Sequence, residues 1–200
     1  MKLPDVILLN GTSSAGKSAL TLALQARLPF VRMGIDDFVY ERAPASWFFP
    51  PQEFFRKVRD AHTEADYGPN ALKLWRAYHR AVRACVAEGL GVIVDDAILT
   101  RELLDDFVMA LAGVDVFFVG VHCAADELVL RERARRDRRP GGAMVGIKRV
   151  HAHAIYDLEI DSTATPSSAL AAQIIDALET RSGPSAFKRL RKAIAKAQPD

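Results

Sequence analysis

Apolar residues recur along the chain with two different spacings. Short, nearly continuous apolar runs, the pattern of buried strands, occupy residues 5–10, 30–35, 91–95 and 114–121, and a run that alternates apolar with acidic positions follows at residues 156–161. Longer segments carry apolar residues every three or four positions, as helices do; these are residues 17–28, 71–88, 101–111, 125–138 and 167–179. Because the two kinds of segment alternate, we predict an α/β fold, a parallel five-stranded sheet with helices on both faces.

Two stretches fall outside this alternation. Residues 41–69 are rich in aromatic residues and prolines, and we interpret them as an insertion in a domain that spans residues 1–182. Residues 183–200 begin with Gly183-Pro184 and are basic. Phe187, Leu190 and Ile194 form a thin apolar stripe in this tail, which predicts an amphipathic helix docked on the domain.

Composition and charge limit the class of protein. A formal net charge of +2 over 200 residues does not by itself indicate a nucleic-acid or membrane partner. The first apolar run, residues 6–9, is too short for a signal peptide or a membrane span, so we expect a cytoplasmic protein without a membrane partner. The two cysteines, Cys85 and Cys123, match no metal-binding or redox spacing. The oligomeric state is not readable from these features.

A glycine-bounded motif joins the first predicted strand to the first predicted helix. It has the spacing G-x-x-x-x-G-K-S and consists of Gly11, Thr12, Ser13, Ser14, Ala15, Gly16, Lys17 and Ser18. In this context the backbone N–H groups of such a P-loop surround the phosphates of a nucleoside triphosphate. We predict that Lys17 reaches the β- and γ-phosphates and that the Ser18 hydroxyl binds Mg²⁺.

Acidic pairs follow two other predicted strands. Asp95 is our candidate for the magnesium site, and the adjacent Asp96 is an alternative that the sequence does not separate from it. Asp36 and Asp37 follow the second strand and should emerge at the same edge of the sheet as the P-loop. A carboxylate there can accept the proton of a hydroxyl that attacks the γ-phosphate, so we predict Asp36 as the base and a turn-capping role for its neighbour.

Six arginines lie between residues 131 and 139, followed by Pro140-Gly141-Gly142. On a helix, Arg131, Arg135 and Arg138 share one face, where they would stabilise the charge of a transferring phosphoryl group. We predict that residues 131–146 form a lid over the nucleotide. A solvated basic helix is the alternative for the other arginines.

Aromatic residues are densest at residues 47–49 and 54–55. They favour two interpretations equally: the wall of an apolar pocket for a phosphate acceptor, or ordinary packing onto the core.

Taken in order, these segments resemble the chloramphenicol phosphotransferase family of P-loop kinases. The matching residues are 7–11, 13–18, 34–36, 93–96, 119–123, Arg131, Arg135, Asp137, Arg138, Val150, His151, Tyr156, Asp157, Glu159, Asp161 and Thr163. The resemblance implies ATP and Mg²⁺ as cofactors, Asp36 as the catalytic base, Lys17 and Ser18 as phosphate and Mg²⁺ residues, and Arg131, Arg135 and Arg138 as lid arginines. Residues 40–69 and the tail from Gly183 differ from the family.

Our leading hypothesis is an ATP-dependent O-phosphotransferase that moves the γ-phosphate to a hydroxyl of a small molecule, such as an antibiotic. A kinase of a metabolite, for example a sugar, shikimate-like or nucleotide acceptor, is the enzymatic alternative. A nucleotide-dependent nucleic-acid-binding module is the alternative from another class, although aromatic residues are not interleaved with the basic ones as is common in single-strand binders.

Overall fold

A computed structural model describes residues 2–48, 54–57, 65–134 and 142–197 of the chain. Its main sheet has five parallel strands: β1 (Val6–Asn10), β2 (Phe30–Gly34), β5 (Gly91–Asp96), β6 (Val116–His122) and β7 (Leu158–Asp161). The strand order is β2-β5-β1-β6-β7, and every neighbouring pair is parallel. A small antiparallel hairpin, β3 (Phe55–Lys57) and β4 (Ala65–Tyr67), lies outside this sheet. The predicted five-stranded parallel sheet is therefore confirmed.

Seven helices accompany the strands in the described residues. They are α1 (Lys17–Gln25), α2 (Pro69–Ala87), α3 (Arg101–Ala110), α4 (Ala125–Ala134), α5 (Gly142–Ile147), α6 (Ser167–Thr180) and α7 (Ala186–Ala197). A π-helical turn, Asp37–Arg42, and a 3₁₀ turn, Ala45–Phe48, follow β2. Local residues favour the start of two helices. Pro69 occupies the first turn of α2, and the Thr100 hydroxyl caps α3 by accepting a hydrogen bond from the Leu103 N–H at 3.3 Å.

The sheet separates two hydrophobic cores. Val6 and Leu8 of β1 pack into the core under α2, α3 and α7, whereas Ile7 and Leu9 pack into the core under α1 and α6. Side chains of a strand alternate between its faces, so a strand covered on both sides reads as a continuous apolar run. This double burial explains the unbroken apolar pattern of β1.

The structure refines several predicted boundaries. β2 ends at Gly34, before the turn that carries Asp36, and β7 begins at Leu158 rather than at residue 156. Of the helix predicted over residues 125–138, α4 covers residues up to Ala134, and residues 135–138 lie outside the described part.

Both stretches outside the predicted alternation contribute to the core. Phe187 of α7 packs edge-to-face against Phe107 and Phe118, as a docked amphipathic tail helix should. Phe54 is wholly buried beside Trp75, which supports the packing interpretation for this aromatic residue. Residues 49–53, and with them Phe49, lie outside the described residues.

Candidate active site

A cleft of about 390 Å³ opens at the carboxyl edge of the sheet, where β1, β2 and β5 end and α1 begins. Its walls are Ser13, Ser14, Gly16, Lys17, Ser18, Ala19, Ile35, Asp36, Asp95, Asp96, Ala97, Arg131 and Ala134. Residues from four separate parts of the sequence thus meet in one cavity, among them the predicted P-loop, the aspartates after two strands and an arginine of α4.

The P-loop has the backbone shape of an anion-binding loop. Ser14 and Gly16 both adopt the left-handed conformation, with φ of 65° and 82°. This conformation costs about 1–2 kcal/mol for a residue with a side chain, which explains glycine at position 16. Alternating handedness turns successive N–H groups toward one side, and α1 adds the positive end of its dipole. The buried Ser14 hydroxyl has no hydrogen-bond partner among the described residues.

Not every residue of the motif lines the cleft. Gly11, Thr12 and Ala15 are buried behind the loop and are absent from the cleft wall. The Thr12 hydroxyl donates a hydrogen bond to the Ala143 carbonyl, and the Ala15 carbonyl accepts one from the Ser162 hydroxyl. Their side chains therefore support the loop rather than face the cavity.

Lys17, Ser18 and Asp95 converge inside the cleft. The Lys17 ammonium donates to the Thr12 carbonyl at 3.0 Å and lies 3.5 Å from Asp95 Oδ1. The Ser18 hydroxyl donates to Asp95 Oδ2 at 2.8 Å. A strand-end carboxylate is thereby held against the two P-loop side chains that the sequence assigns to phosphate and magnesium.

Asp96 has a different environment, although it is adjacent to Asp95 and also borders the cleft. Its side chain is wholly buried, accepts a hydrogen bond from the Ala97 N–H at 2.7 Å and lies 4.0 Å from His79 Nε2. Burial raises the pKa of Asp96 to about 7. Successive side chains of β5 point to opposite faces of the sheet, which separates the two carboxylates. Asp95 is the one in contact with the P-loop side chains.

Asp36 lies at the boundary between the cleft and a smaller recess of about 140 Å³. The recess is lined by Ser18, Thr21, Arg32, Met33, Gly34, Asp36, Asp37 and Asp95. Ser18, Asp36 and Asp95 belong to both cavities, so Asp36 borders the P-loop cleft on one side and a polar recess on the other.

Arg131 is the one predicted lid arginine within the described residues; Arg135 and Arg138 lie outside them. Its Nε donates to Glu127 at 2.7 Å, and one Nη donates to the carbonyls of Ser162 and Thr163 at 2.7 and 3.0 Å. These contacts come from α4 and from the loop after β7. They fix the guanidinium at the cleft wall beside the P-loop.

Sequence reasoning assigned no role to Asn10, which precedes the P-loop. Its side chain is wholly buried; its Nδ2 donates to the Val150 carbonyl and the Tyr156 hydroxyl, each at 2.8 Å, and its Oδ1 accepts from the Ile98 N–H at 2.9 Å. Three chain segments therefore meet at the end of β1. A polar residue closing an otherwise apolar buried run is the signal that could have identified it.

A histidine pair lies next to this junction. His151 stacks on His122 with ring centroids 4.0 Å apart, and its Nδ1 lies 2.6 Å from the Tyr156 hydroxyl. His122 Nε2 lies 2.7 Å from Glu159. Burial, followed by the nearby His122, lowers the pKa of His151 to about 4. His151 is accordingly neutral at neutral pH.

The fold and this cleft define the class of protein: a P-loop kinase. A sugar kinase from Janibacter sp. shares the fold with a TM-score of 0.65 at 14% identity, covering 87% of this chain and 94% of that one. The APS kinase of Mycobacterium tuberculosis, solved with AMPPNP and APS, has a TM-score of 0.62 at 14% identity and covers 88% of this chain and 97% of its own.

The family model of chloramphenicol phosphotransferase-like proteins matches residues 4–179, and the chain belongs to this family. A curated protein of Mycobacterium tuberculosis, named as a candidate O-phosphotransferase, is 39% identical over 205 residues, which is 94% of this chain and 88% of that protein. The predicted family and the phosphotransferase class are confirmed. Within the described residues, every helix is too short or too polar to cross a membrane.

Proposed function

We propose that the protein transfers the γ-phosphate of ATP to a hydroxyl group of a small molecule, with antibiotics of the chloramphenicol type as the first acceptor class to test. The observation that carries this proposal is the position of Asp36, which shares one cleft with Lys17, Ser18, Asp95 and Arg131 and also lines the adjoining recess. A base and a phosphate-binding loop that face the same space are the two requirements of a kinase.

In this proposal the P-loop holds the triphosphate. Backbone N–H groups of the loop and the first turn of α1 bind the phosphate oxygens, and Lys17 exchanges its hydrogen bond to Thr12 for the β- and γ-phosphates. Arg131 faces the same space with a guanidinium that is already oriented, so it stabilises the charge that spreads over the transferring group.

The donor set fits a magnesium ion that arrives with the nucleotide. Among the described residues no cluster of three or more His, Cys, Asp or Glu side chains could hold a metal by itself. Ser18 and Asp95 supply one hydroxyl and one carboxylate, and Mg²⁺ is commonly held by one or two carboxylates together with substrate phosphates. When bound there, the ion would neutralise phosphate charge.

Asp36 is the proposed base. As the acceptor oxygen forms its bond to the γ-phosphorus, the hydroxyl proton passes to the Asp36 carboxylate, and the bond between that phosphorus and the bridging oxygen breaks to release ADP. The recess beside Asp36 would hold the hydroxyl-bearing end of the acceptor. Its polar walls, Arg32 and Asp37 among them, suit an acceptor with several hydrogen-bonding groups. Dependence on ATP is consistent with a cytoplasmic reaction.

The test is ADP release from ATP with a panel of hydroxylated acceptors, measured for the wild type and for Asp36→Asn. We expect the Asn variant to bind ATP as the wild type does and to lose phosphoryl transfer, because the amide cannot accept the proton. Asp126→Asn, an exposed carboxylate change on α4, serves as the matched control. Wild-type turnover by Asp36→Asn would rule out Asp36 as the base.

The same panel separates the acceptor classes. Phosphorylation of chloramphenicol-like compounds supports the antibiotic assignment, and phosphorylation of a sugar or shikimate-like compound supports a metabolite kinase. A salt titration of oligonucleotide binding addresses the nucleic-acid alternative, since a module of that kind binds tightly at low salt with a steep salt dependence.

A further inference from the structure

Helix α5 is fastened at both ends to the residues that flank Gly11. At its start, the Thr12 hydroxyl donates to the Ala143 carbonyl at 2.7 Å. Just beyond its end, the Val150 carbonyl accepts the Asn10 side-chain amide at 2.8 Å. Both hydrogen bonds are buried, so α5 has a fixed position relative to the P-loop.

The middle of α5 also touches the P-loop directly. Gly146 packs on Thr12 so closely that a methyl group added to this glycine would overlap the Thr12 hydroxyl. A residue with a side chain at position 146 would push α5 away from the loop. Close contact here therefore requires glycine.

The start of α5 is joined to α4 as well. The Ala143 N–H donates to Glu132 Oε1 at 2.8 Å in a buried hydrogen bond, and Glu132 is only 7% exposed. Since Glu132 follows Arg131 in α4, a chain of two hydrogen bonds runs from Thr12 through Ala143 to the helix that carries the arginine. Buried polar chains of this kind rigidify the segments they connect.

We propose that Thr12, Glu132 and Gly146 are positioning residues for phosphoryl transfer: they hold α4 and its Arg131 in register with the P-loop. The inference rests on the proposed function and adds a role that the motif does not contain, because the Thr12 hydroxyl is directed to Ala143 instead of to the cleft. Displacement of a charge-stabilising group by a fraction of an ångström lowers the rate of the chemical step more than it lowers substrate binding.

The first experiment removes the side chains of this hydrogen-bond network one at a time. It measures kcat for ADP release together with the Kd of a non-hydrolysable ATP analogue. We expect Thr12→Val to lower kcat about 10-fold while the Kd changes by less than about twofold. Glu132→Ala should behave in the same way, and Glu132→Gln, which keeps an oxygen acceptor for the Ala143 N–H, should retain most of the rate. Thr180→Val, the loss of an exposed hydroxyl on α6, is the matched control.

The second experiment tests the contact between Thr12 and Gly146. Gly146→Ala should lower kcat more than Thr12→Val does, by about 10²-fold. The double variant Thr12→Ala/Gly146→Ala removes the overlapping hydroxyl, so it should recover a large part of the rate lost in the single variant. Where Gly146→Ala does not fold, recovery of folding by the double variant supports the contact equally.

Three outcomes would overturn the inference: wild-type kcat in folded Thr12→Val and Glu132→Ala, a fall of kcat that only parallels weaker ATP binding, or no recovery in the double variant. The wild-type measurement tests the proposed function itself, independently of the variants. A wild-type protein that neither binds the ATP analogue nor releases ADP contradicts the proposed function, whereas normal wild-type turnover with unaffected variants contradicts only the positioning role.

Discussion

The two sides of the cleft are built by different means. On the proposed phosphate side, Lys17 and Ser18 are neighbours in sequence and meet Asp95 through short polar contacts. On the proposed acceptor side, irregular turns follow β2, and Phe38 of the π-helical turn packs on Tyr78 of α2 with ring centroids 5.1 Å apart. Tyr67 of β4 contacts Trp75 of the same helix at 4.8 Å.

This difference explains what each side can reveal about function. Phosphate recognition requires fixed spacing between backbone N–H groups, a lysine and a hydroxyl, so it leaves a short motif in the sequence. In the proposed function, acceptor recognition depends on the shape that a longer segment acquires by packing on α2, and such a shape leaves no short motif in the sequence. Nucleotide binding can therefore be predicted from the P-loop, whereas the acceptor must be found by experiment.

The largest expected effect is the loss of stability when aromatic packing is removed beside the proposed acceptor side. Phe54 is wholly buried, so Phe54→Ala should lower the free energy of unfolding by about 3–5 kcal/mol, through lost burial and a residual cavity. Urea denaturation measures this, with the exposed Leu130→Ala expected within about 0.5 kcal/mol of the wild type. A loss below about 1 kcal/mol for Phe54→Ala would contradict a packing role.

The corresponding change on the phosphate side is Lys17→Met, which should leave stability nearly unaltered and lower ADP release about 10²–10³-fold, because the γ-phosphate loses its cation. Steady-state kinetics and thermal unfolding of the same preparation separate the two effects. Lys188→Met on α7 provides the control for loss of an exposed lysine. Retained turnover in Lys17→Met would show that the triphosphate lies elsewhere.

A smaller loss of kcat should show whether the orientation of the Arg131 guanidinium matters in addition to its charge. Arg131→Lys keeps the charge but loses the planar fork that reaches Glu127, Ser162 and Thr163, so kcat should fall about 10-fold. Arg133→Lys, an exposed change in the same helix, should have little effect. Equal kcat for both variants would mean that charge alone matters at position 131.

The smallest effect is the pH dependence of stability at His151. Burial lowers its pKa in the folded protein to about 4, below the ordinary value of 6.5. The unfolded chain therefore takes up a proton first, and stability is lost as the pH falls from about 6.5 to about 4. His122 and Glu159 face the same cluster and Tyr156 bonds His151, so His151→Gln should flatten this slope only in part. Urea denaturation across this pH range measures it.

The sheet, its covering helices and the P-loop residues that line the cleft could be predicted because those features have local signatures. Continuous apolar runs marked β1 and β5, and the P-loop spacing marked Lys17 and Ser18. The two carboxylates at positions 95 and 96 could not be assigned, since only the direction of each side chain from β5 separates them.

The long-range hydrogen bonds of Asn10 and Thr12 were not predicted from the sequence. The hydrogen bond from Asn10 to Val150 spans 140 residues of sequence, and the bond from Thr12 to Ala143 spans 131. Neither has a periodicity or a motif, because a donor in one segment and a carbonyl in another are brought together only by the complete tertiary structure.

The central place of β1 has a consequence for protein synthesis. The strand pairs on one side with β5 and on the other with β6, so Val6 finds its partners at Val92 and Val116. During synthesis, this apolar segment therefore waits for nearly half of the 200-residue chain before β5 covers one edge, and for more than half before β6 covers the other. Sheets with such non-local strand pairing form slowly, and an apolar strand that stays exposed in the meantime is prone to aggregation.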